Sequence, residues 1–158
     1  MRKRTIEDLD AAALEGRRVL VRVDYNVPIE NGAVGDDTRI RATIPTITWL
    51  VERGARVVLV SHLGRPKGKW DEEYTLSPVA ERLRAHLPRT GVSFVGDVVG
   101  AEAHDAIEAL KPGAVLLLEN VRFLAGEETN DSKLSEALAA TADVYVNDAF
   151  GAAHRAHA

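Results

Sequence analysis

The chain of 158 residues contains no cysteine. Disulfide bonds, thiolate metal sites and a cysteine nucleophile are therefore excluded. The formal net charge of −4 gives the chain no overall attraction to nucleic acid or to an anionic membrane. Any anion site must therefore come from arginines that cluster locally.

Long hydrophobic runs are also missing. The longest ones, at residues 57–60 and 115–118, are far too short to span a bilayer. The N-terminal segment MRKRTIEDLD is basic at first but has no apolar stretch of the kind that a signal peptide needs. We therefore expect a soluble, cytoplasmic protein that folds as one domain over residues 1–158 and binds neither nucleic acid nor membrane.

No nucleotide-binding signature is present either. The segment GRPKGKW at residues 64–70 has three residues between its glycines instead of the four of a P-loop, and Trp70 stands where Ser or Thr would bind magnesium. No GxGxxG follows a predicted strand, and HExxH, GxSxG and carboxylate clusters with metal-ligand spacing are absent. These residues predict no nucleotide site and no metal site.

What the chain does have is a regular alternation of apolar runs and helical patterns. The runs are continuous, as in strands buried on both faces, and they lie at residues 19–23, 57–60, 92–95, 115–118 and 144–146. Apolar residues with helical spacing lie between them, at residues 79, 83 and 87, at 103, 107 and 110, and at 134 and 138. The alternation predicts an α/β fold with a mainly parallel sheet and right-handed crossovers.

The first helical pattern is interrupted by a proline. Ile40, Ile44, Ile47 and Val51 share one helical face, but Pro45 means that the helix either kinks or begins near residue 43. Further along the chain, the pair at residues 77 and 78 predicts an N-cap serine followed by proline at the first helical position. Glycine at residue 54 predicts a helix end. Residues 26–37 and 64–75 are expected to be long loops.

Polar side chains follow four of the predicted strands. Because the carboxyl ends of parallel strands meet at one edge of a sheet, these side chains should lie close together. The residues concerned are Asp24, Asn26, His62, Arg65, Asn120, Arg122, Asn147, Asp148, His154 and Arg155. Three arginines and two histidines at one edge of an acidic protein indicate an anion pocket.

Each of these residues also has a structural interpretation. An arginine in such a loop can be solvated or paired with a surface carboxylate, Asp24 can cap a turn, and His62 can be a structural hydrogen-bonder. His86 and His104 lie in predicted helices instead, and we interpret them as plain surface residues.

The motifs themselves resemble a known family. VRVDYNVP, DDTRIRATIPTI, VVLVSHLGRPKG, LLLENVRF and DVYVNDAFGAAHRAHA follow one another as the N-domain motifs of the phosphoglycerate kinase family do. The resemblance implies a three-layer α/β/α domain with a Rossmann-like twisted sheet. It also implies reversible phosphoryl transfer between 1,3-bisphosphoglycerate and ADP, which gives 3-phosphoglycerate and ATP in glycolysis.

The resemblance also implies a role for each site residue. Asp24 and Asn26 would bind the hydroxyl and carboxyl end of the glycerate, and His62 would contact it. Arg39 would act on the phosphoryl group in transfer and is the expected catalytic residue. The remaining positions would hold the non-transferred phosphate or line its pocket: Arg65, Arg122, His154, Arg155 and, as a weaker assignment, Arg22.

The family has a second domain, which binds Mg-ATP or Mg-ADP, and the motifs of that domain are absent from these 158 residues. We therefore expect a substrate-binding half that is inactive alone, lacks the family's sixth strand and tends to self-associate, whereas the whole enzyme would be a monomer. The alternative is a stand-alone phosphoglycerate- or phosphate-binding module without catalysis. Arg39 distinguishes the two, since a pure binder has no use for it.

Overall fold

The computed structural model describes residues 14–64, 66, 70–123, 140, 142–148 and 155–157, and for residues 148 and 155–157 it describes the backbone alone. The strands are β1 (Arg18–Val23), β2 (Ile29–Glu30), β3 (Ala33–Val34), β4 (Arg56–Val60), β5 (Val92–Val95), β6 (Val115–Leu118), β7 (Val144–Asp148) and β8 (Arg155–His157). The helices are α1 (Thr38–Arg41), α2 (Ile44–Glu52), α3 (Ser77–His86) and α4 (Ala101–Ala109), with 3-10 turns at Glu72–Tyr74 and Val121–Phe123.

Six strands form one sheet in the order β5-β6-β4-β1-β7-β8. Every neighbouring pair is parallel except β7 and β8, which run antiparallel. All five predicted strands are confirmed. The expectation of only five strands is wrong, because a sixth strand, β8, pairs with β7. Its sequence Arg-Ala-His contains no apolar run from which it could have been predicted.

Two apolar clusters lie on the two faces of the sheet. Along β1, Val19, Val21 and Val23 belong to one cluster and Leu20 to the other, as the alternation of side chains along a strand requires. Residues of α2 and α3 pack in the first cluster, and Ala103 of α4 packs in the second. The continuous apolar runs therefore reflect burial on both faces, and the predicted three-layer α/β/α fold is confirmed.

The interrupted helical pattern is two helices. The short α1 ends at Arg41, and α2 begins after Thr43 with Pro45 in its first turn, where the missing N–H costs no hydrogen bond. Of the two possibilities that the sequence left open, the start near residue 43 is correct. The predicted stop is also confirmed, because Gly54 has φ +75° and its N–H donates to the Val51 carbonyl.

The predicted N-cap at Ser77 is wrong by one residue. Leu76 is the N-cap of α3, and Ser77 is its first helical residue. The cap is made by other side chains: Thr75 Oγ1 accepts from the Ser77 N–H at 3.3 Å, and Glu119 Oε1 accepts from the Leu76 N–H at 2.8 Å. A carboxylate 42 positions further along the chain than Ser77 could not be read from local sequence.

The predicted loop at residues 26–37 contains a small hairpin. Strands β2 and β3 pair antiparallel around Asn31 and Gly32, which have φ +52° and +76°. Asn-Gly with two positive φ angles is typical of a type I′ hairpin turn. The signal was therefore present in the sequence, although the strands are only two residues long each.

His86 is not the plain surface residue that the sequence indicated. Its Nε2 lies 2.7 Å from Oδ2 of Asp37, and Arg82 Nη1 and Arg41 Nε each donate to the same carboxylate at 2.9 Å. Arg82 also donates to the Val34 carbonyl at 2.8 Å. We call Asp37, Arg41, Arg82 and His86 the Asp37 cluster; it joins α1, α3 and the hairpin. His104, by contrast, is exposed on α4.

Some predictions fall on residues outside the described ranges. These include the helical pattern at residues 134 and 138 and most of the loop at 65–69. Among the described residues, no helix is both long enough and apolar enough to cross a membrane.

Candidate functional site

The loops that follow β1, β4 and β6 meet at the carboxyl edge of the sheet. These strands are neighbours in the order β6-β4-β1. Ser61, directly after β4, connects the other two loops: its Oγ accepts from the Tyr25 N–H at 2.9 Å, and its carbonyl accepts from the Val121 N–H at 3.1 Å. The expectation that the polar residues of these loops share one edge is therefore correct for the three loops.

Arg39 and Asp24 form an ion pair at this edge. Arg39 Nη1 lies 3.1 Å from Asp24 Oδ1 and 3.0 Å from Oδ2, and it also donates to the Asn26 carbonyl at 3.1 Å. The same Oδ1 accepts from the Asn26 N–H at 3.1 Å. Because 54% of the Arg39 side chain is exposed, against 24% for Asp24, the guanidinium lies at the surface of the site.

Asn26 connects this pair to the loop after β4. Its Oδ1 accepts from the Gly64 N–H at 2.9 Å, and the Gly64 carbonyl accepts from Arg122 Nη1 at 3.0 Å. Arg39, Asp24, Asn26, Gly64 and Arg122 are thus joined by hydrogen bonds in one line, which we call the edge network. Four of its five members were predicted as site residues from the sequence.

Gly64 occupies a position that only glycine fits. Its φ is +60°, and a Cβ built there would lie 2.4 Å from two ring carbons of Tyr74. The backbone of the loop therefore passes directly against an aromatic ring, and a side chain at residue 64 would push the two apart.

The start of α1 is fixed by two carboxylates that precede Arg39. Asp36 Oδ1 accepts from the Thr38 hydroxyl at 2.6 Å and from its N–H at 3.0 Å, and these two hydrogen bonds lower the pKa of Asp36. The pKa of Asp37 is held well below its usual range, chiefly by the hydrogen bond with His86 and then by that with Arg82. Both groups are ionised at neutral pH, and they hold the helix that carries Arg39.

A shallow pocket of about 360 Å³ opens beside Arg39. It is lined by Asn26, Val27, Pro28, Asp36, Thr38 and Arg39. The guanidinium, the amide and the hydroxyl offer donors to an anion, and the Asp36 carboxylate offers an acceptor to a hydroxyl group. A small hydroxylated anion fits this combination better than an apolar ligand does.

The remaining predicted residues lie around this network or outside the described ranges. His62 lies two residues after the end of β4 and is half-buried. Arg22 is half-buried in β1, where its backbone is in register with Asn147 of β7, which is in turn in register with Arg155 of β8. The side chain of Arg155 is not described, and Arg65 and His154 lie outside the described residues.

Two buried polar residues beside the edge network were not predicted as site residues. Asn120 was placed at the edge but given no role, and its side chain is completely buried. Glu119 is 3% exposed and accepts hydrogen bonds from Thr75, Leu76 and Asn120. The signal that could have found them is a pair of polar residues directly after a fully apolar strand, since buried polar groups are retained only with hydrogen-bond partners.

The described residues offer no cluster for a metal ion. Within that part of the chain, no group of three or more His, Asp or Glu side chains is arranged to hold one. The side chains of the edge network are arginine, amide and carboxylate groups.

Comparison with known proteins identifies the family. The family model described as phosphoglycerate kinase matches residues 6–158. A curated phosphoglycerate kinase of Synechococcus elongatus is 61% identical over the whole chain, and one of Thermomicrobium roseum is 60% identical over 98% of it. The chain spans 39% and 38% of the length of these two relatives.

Solved structures agree with this match. The phosphoglycerate kinase of Coxiella burnetii superposes with a TM-score of 0.80 at 39% identity and covers 98% of this chain. The enzyme of Pyrococcus horikoshii also gives a TM-score of 0.80, at 36% identity over 97% of the chain. The chain covers 37% and 38% of these two structures.

Proposed function

This chain belongs to the phosphoglycerate kinase family, and we propose that residues 1–158 are the phosphoglycerate-binding part of such an enzyme. The reaction would be reversible transfer of a phosphoryl group between 1,3-bisphosphoglycerate and ADP, within glycolysis in the cytoplasm. In this proposal the Mg-nucleotide is bound by a second domain, and the chain alone is not catalytically competent.

The edge network carries the proposal. Arg39, Asp24, Asn26, Gly64 and Arg122 form one hydrogen-bonded line that begins at an exposed guanidinium and ends at a second arginine. Arginines that serve only solubility are solvated singly and require no hydrogen bonds that join them through the backbone of a loop. A site that holds an anion at two places would need this fixed separation.

The chemistry of the reaction suits these residue types. The acceptor is a carboxylate with a pKa of about 3.5, by analogy with an α-carboxyl group, so it is already ionised at neutral pH and needs no general base. The task of the protein is to hold two anions together and to offset charge on the transferring group. Arginine suits that task because its planar guanidinium meets two phosphate oxygens at once.

We assign the roles accordingly. Asp24 would accept a hydrogen bond from the substrate hydroxyl, and Asn26 would bind near the carboxyl end. His62 would contact the glycerate. Arg122, together with Arg65 and Arg155, would hold the non-transferred phosphate, with His154 and Arg22 beside it. Arg39 would act on the group in transfer, since it is the most exposed guanidinium of the edge network and lies on a helix fixed by Asp36 and Asp37.

A titration followed by amide NMR tests the proposal. We expect 3-phosphoglycerate to shift the resonances of His62, Gly64 and Arg122, and Mg-ADP to leave them unchanged. Inorganic phosphate serves as a control for general anion binding and should shift the same peaks only at much higher concentration. Well-dispersed peaks that neither 3-phosphoglycerate nor phosphate moves would contradict the proposal.

A stand-alone phosphate sensor would give a different result. It would bind 3-phosphoglycerate as the proposed enzyme part does, but loss of Arg39 would not matter once the chain is joined to a nucleotide-binding partner. The sensor hypothesis is preferred if the chain and a nucleotide-binding domain each bind their ligands but show no turnover when they are joined.

A further inference from the structure

We propose that Asn120 is a positioning residue that sets the distance between the loop after β4 and Arg122. This inference rests on the proposed function, because the anion would be held between those two parts. Nothing in the family resemblance assigned Asn120 a role. It emerges from what its side chain contacts.

Asn120 uses its whole hydrogen-bonding capacity inside the protein. Its Oδ1 accepts from the N–H of Leu63 at 3.2 Å and from the N–H of Arg122 at 3.0 Å. Its Nδ2 donates to the carbonyls of Leu63 at 2.7 Å and Tyr74 at 3.0 Å. An asparagine amide has two donors and an oxygen with two lone pairs, so these four bonds leave no capacity unused.

The four bonds join three separate segments. Leu63 lies in the loop after β4, Tyr74 ends the 3-10 turn Glu72–Tyr74, and Arg122 lies in the 3-10 turn after β6. The side-chain amide of Asn120 bonds both the N–H and the carbonyl of Leu63, as the backbone of a neighbouring strand would. The amide of Asn120 thus takes the place of a backbone peptide that would otherwise have to pair with this loop.

The two ends of the anion site therefore depend on one side chain. Arg122 is held to Asn120 through its backbone and to Gly64 through its guanidinium, while Gly64 directly follows Leu63. Tyr74 adds the second constraint, because its ring packs against the Gly64 backbone and its carbonyl accepts from Asn120. A shift of the Asn120 amide would move Gly64 and Arg122 relative to each other.

Burial makes the arrangement stiff. Asn120 is 0% exposed, and its own N–H donates to the buried carboxylate of Glu119 at 2.9 Å. Because the side chains of Asn120 and Glu119 are buried, solvent does not readily replace a lost partner. A variant that loses the two donors should therefore distort the loop instead of merely loosening it.

The test compares Asn120→Asp and Asn120→Ala with Leu50→Ala. Asn120→Asp keeps the shape but replaces the two donors with an acceptor. Leu50 is a matched control, because it is fully buried but lies away from the site. Its carbonyl accepts from the N–H of Ala55, which precedes β4 at the amino edge of the sheet. Affinity for 3-phosphoglycerate is measured by calorimetry on the full chain, at a temperature where denaturation curves show every variant to be folded.

We expect both Asn120 variants to bind about tenfold or more weakly, because Arg122 is no longer placed to give its charge-assisted hydrogen bonds, while Leu50→Ala binds as the unmodified chain does. Wild-type affinity in a folded Asn120→Asp variant would overturn the proposal. An equal loss in Leu50→Ala would also overturn it, since binding would then follow stability alone.

Amide hydrogen exchange decides the remaining cases. If the unmodified chain does not bind 3-phosphoglycerate, the proposed function fails, but selective loss of protection at Leu63 and Arg122 in Asn120→Ala, which removes the oxygen that accepts from both N–H groups, still supports the positioning role, and unchanged protection overturns it. If the variants do not fold, the side-chain amide of Asn120 is followed in the unmodified chain. Slow exchange relative to the exposed Asn31 supports the four bonds, and equal exchange overturns them.

Discussion

At the scale of single residues, the two arginines of the edge network should separate binding from transfer. Arg122→Ala should weaken 3-phosphoglycerate binding about tenfold or more, because a hydrogen bond to a charged group is worth ~1.5–3 kcal/mol. Arg39→Ala should cost less, because 3-phosphoglycerate lacks the phosphoryl group on which Arg39 would act. Isothermal titration calorimetry measures both affinities.

Arg89→Ala is the control for this pair. Arg89 is exposed in the turn before β5, at the opposite edge of the sheet, so its loss tests the effect of net charge alone. The assignment of roles would be wrong if Arg39→Ala weakened binding more than Arg122→Ala did. It would be equally wrong if Arg89→Ala matched either variant.

Gly64 should tolerate no side chain. Gly64→Ala should lower the free energy of unfolding by ~2 kcal/mol, since a non-glycine residue in the left-handed region costs ~1–2 kcal/mol and the new Cβ meets the Tyr74 ring as well. Urea denaturation measures the change. Gly96→Ala is the matched control, because no atom lies within 4 Å of its added Cβ and its φ is outside the left-handed region.

The two causes can be separated with a second substitution. Tyr74→Ala removes the ring but leaves the backbone carbonyl that accepts from Asn120. In the Tyr74→Ala background, Gly64→Ala should destabilise the chain less, because the contact with the ring is gone. The part of the cost that comes from the left-handed backbone conformation should remain. If Gly64→Ala cost no more than Gly96→Ala in the first place, the close approach of the loop to Tyr74 would be refuted.

At the scale of elements, the Asp37 cluster joins α1 to α3 and should make stability depend on pH in acid. The pKa of Asp37 is lowered in the folded state, so its contribution to stability is fully present above the unfolded pKa of ~3.9 and is lost as the pH falls further. Asp37→Asn should therefore lower the urea midpoint at pH 7. The difference from the unmodified chain should shrink below pH ~4.

Asp105→Asn is the control for the pH series. Asp105 is exposed on α4, outside the cluster, and its substitution should leave the difference small at every pH. A difference for Asp37→Asn that stayed constant from pH 7 to pH 3 would show that the cluster acts through packing and not through the ionised carboxylate.

Elements and sites differ in how far the sequence determines them. The strands were predictable because burial on both faces leaves a continuous apolar run, and the turn at Asn31 and Gly32 was readable from its residue types. The cap of α3 was not, because it comes from Glu119, 43 residues away from Leu76. Local rules predict a helix end but cannot name a partner that only the folded chain brings near.

The site shows the same division. The positions of Asp24, Asn26, Arg39 and Arg122 followed from the motifs, but the pairing of Arg39 with Asp24 depends on where the fold places α1 beside the loop after β1. Asn120 looks like any other loop residue in the sequence, and its role follows only from contacts with segments 57 and 46 residues away. The sequence therefore indicated which residues meet at this edge, whereas the contacts behind the proposed role of Asn120 appear only in the folded chain.

At the scale of the whole molecule, turnover should appear only when the chain meets a nucleotide-binding domain. Alone, the chain should form no ATP from 1,3-bisphosphoglycerate and ADP, because in the proposed function a second domain binds the Mg-nucleotide. Mixed with the nucleotide-binding domain of a relative, it should restore measurable activity in a coupled assay.

Arg39→Ala tests whether the restored activity depends on the proposed catalytic residue. Its loss should reduce turnover about 10²–10³-fold, the usual effect of removing one group aimed at charge in the transition state, while 3-phosphoglycerate affinity changes far less. A mixture in which Arg39→Ala kept full activity would remove Arg39 from the chemistry. Turnover by the isolated chain would be the stronger contradiction, because a nucleotide would then have to bind to these 158 residues themselves.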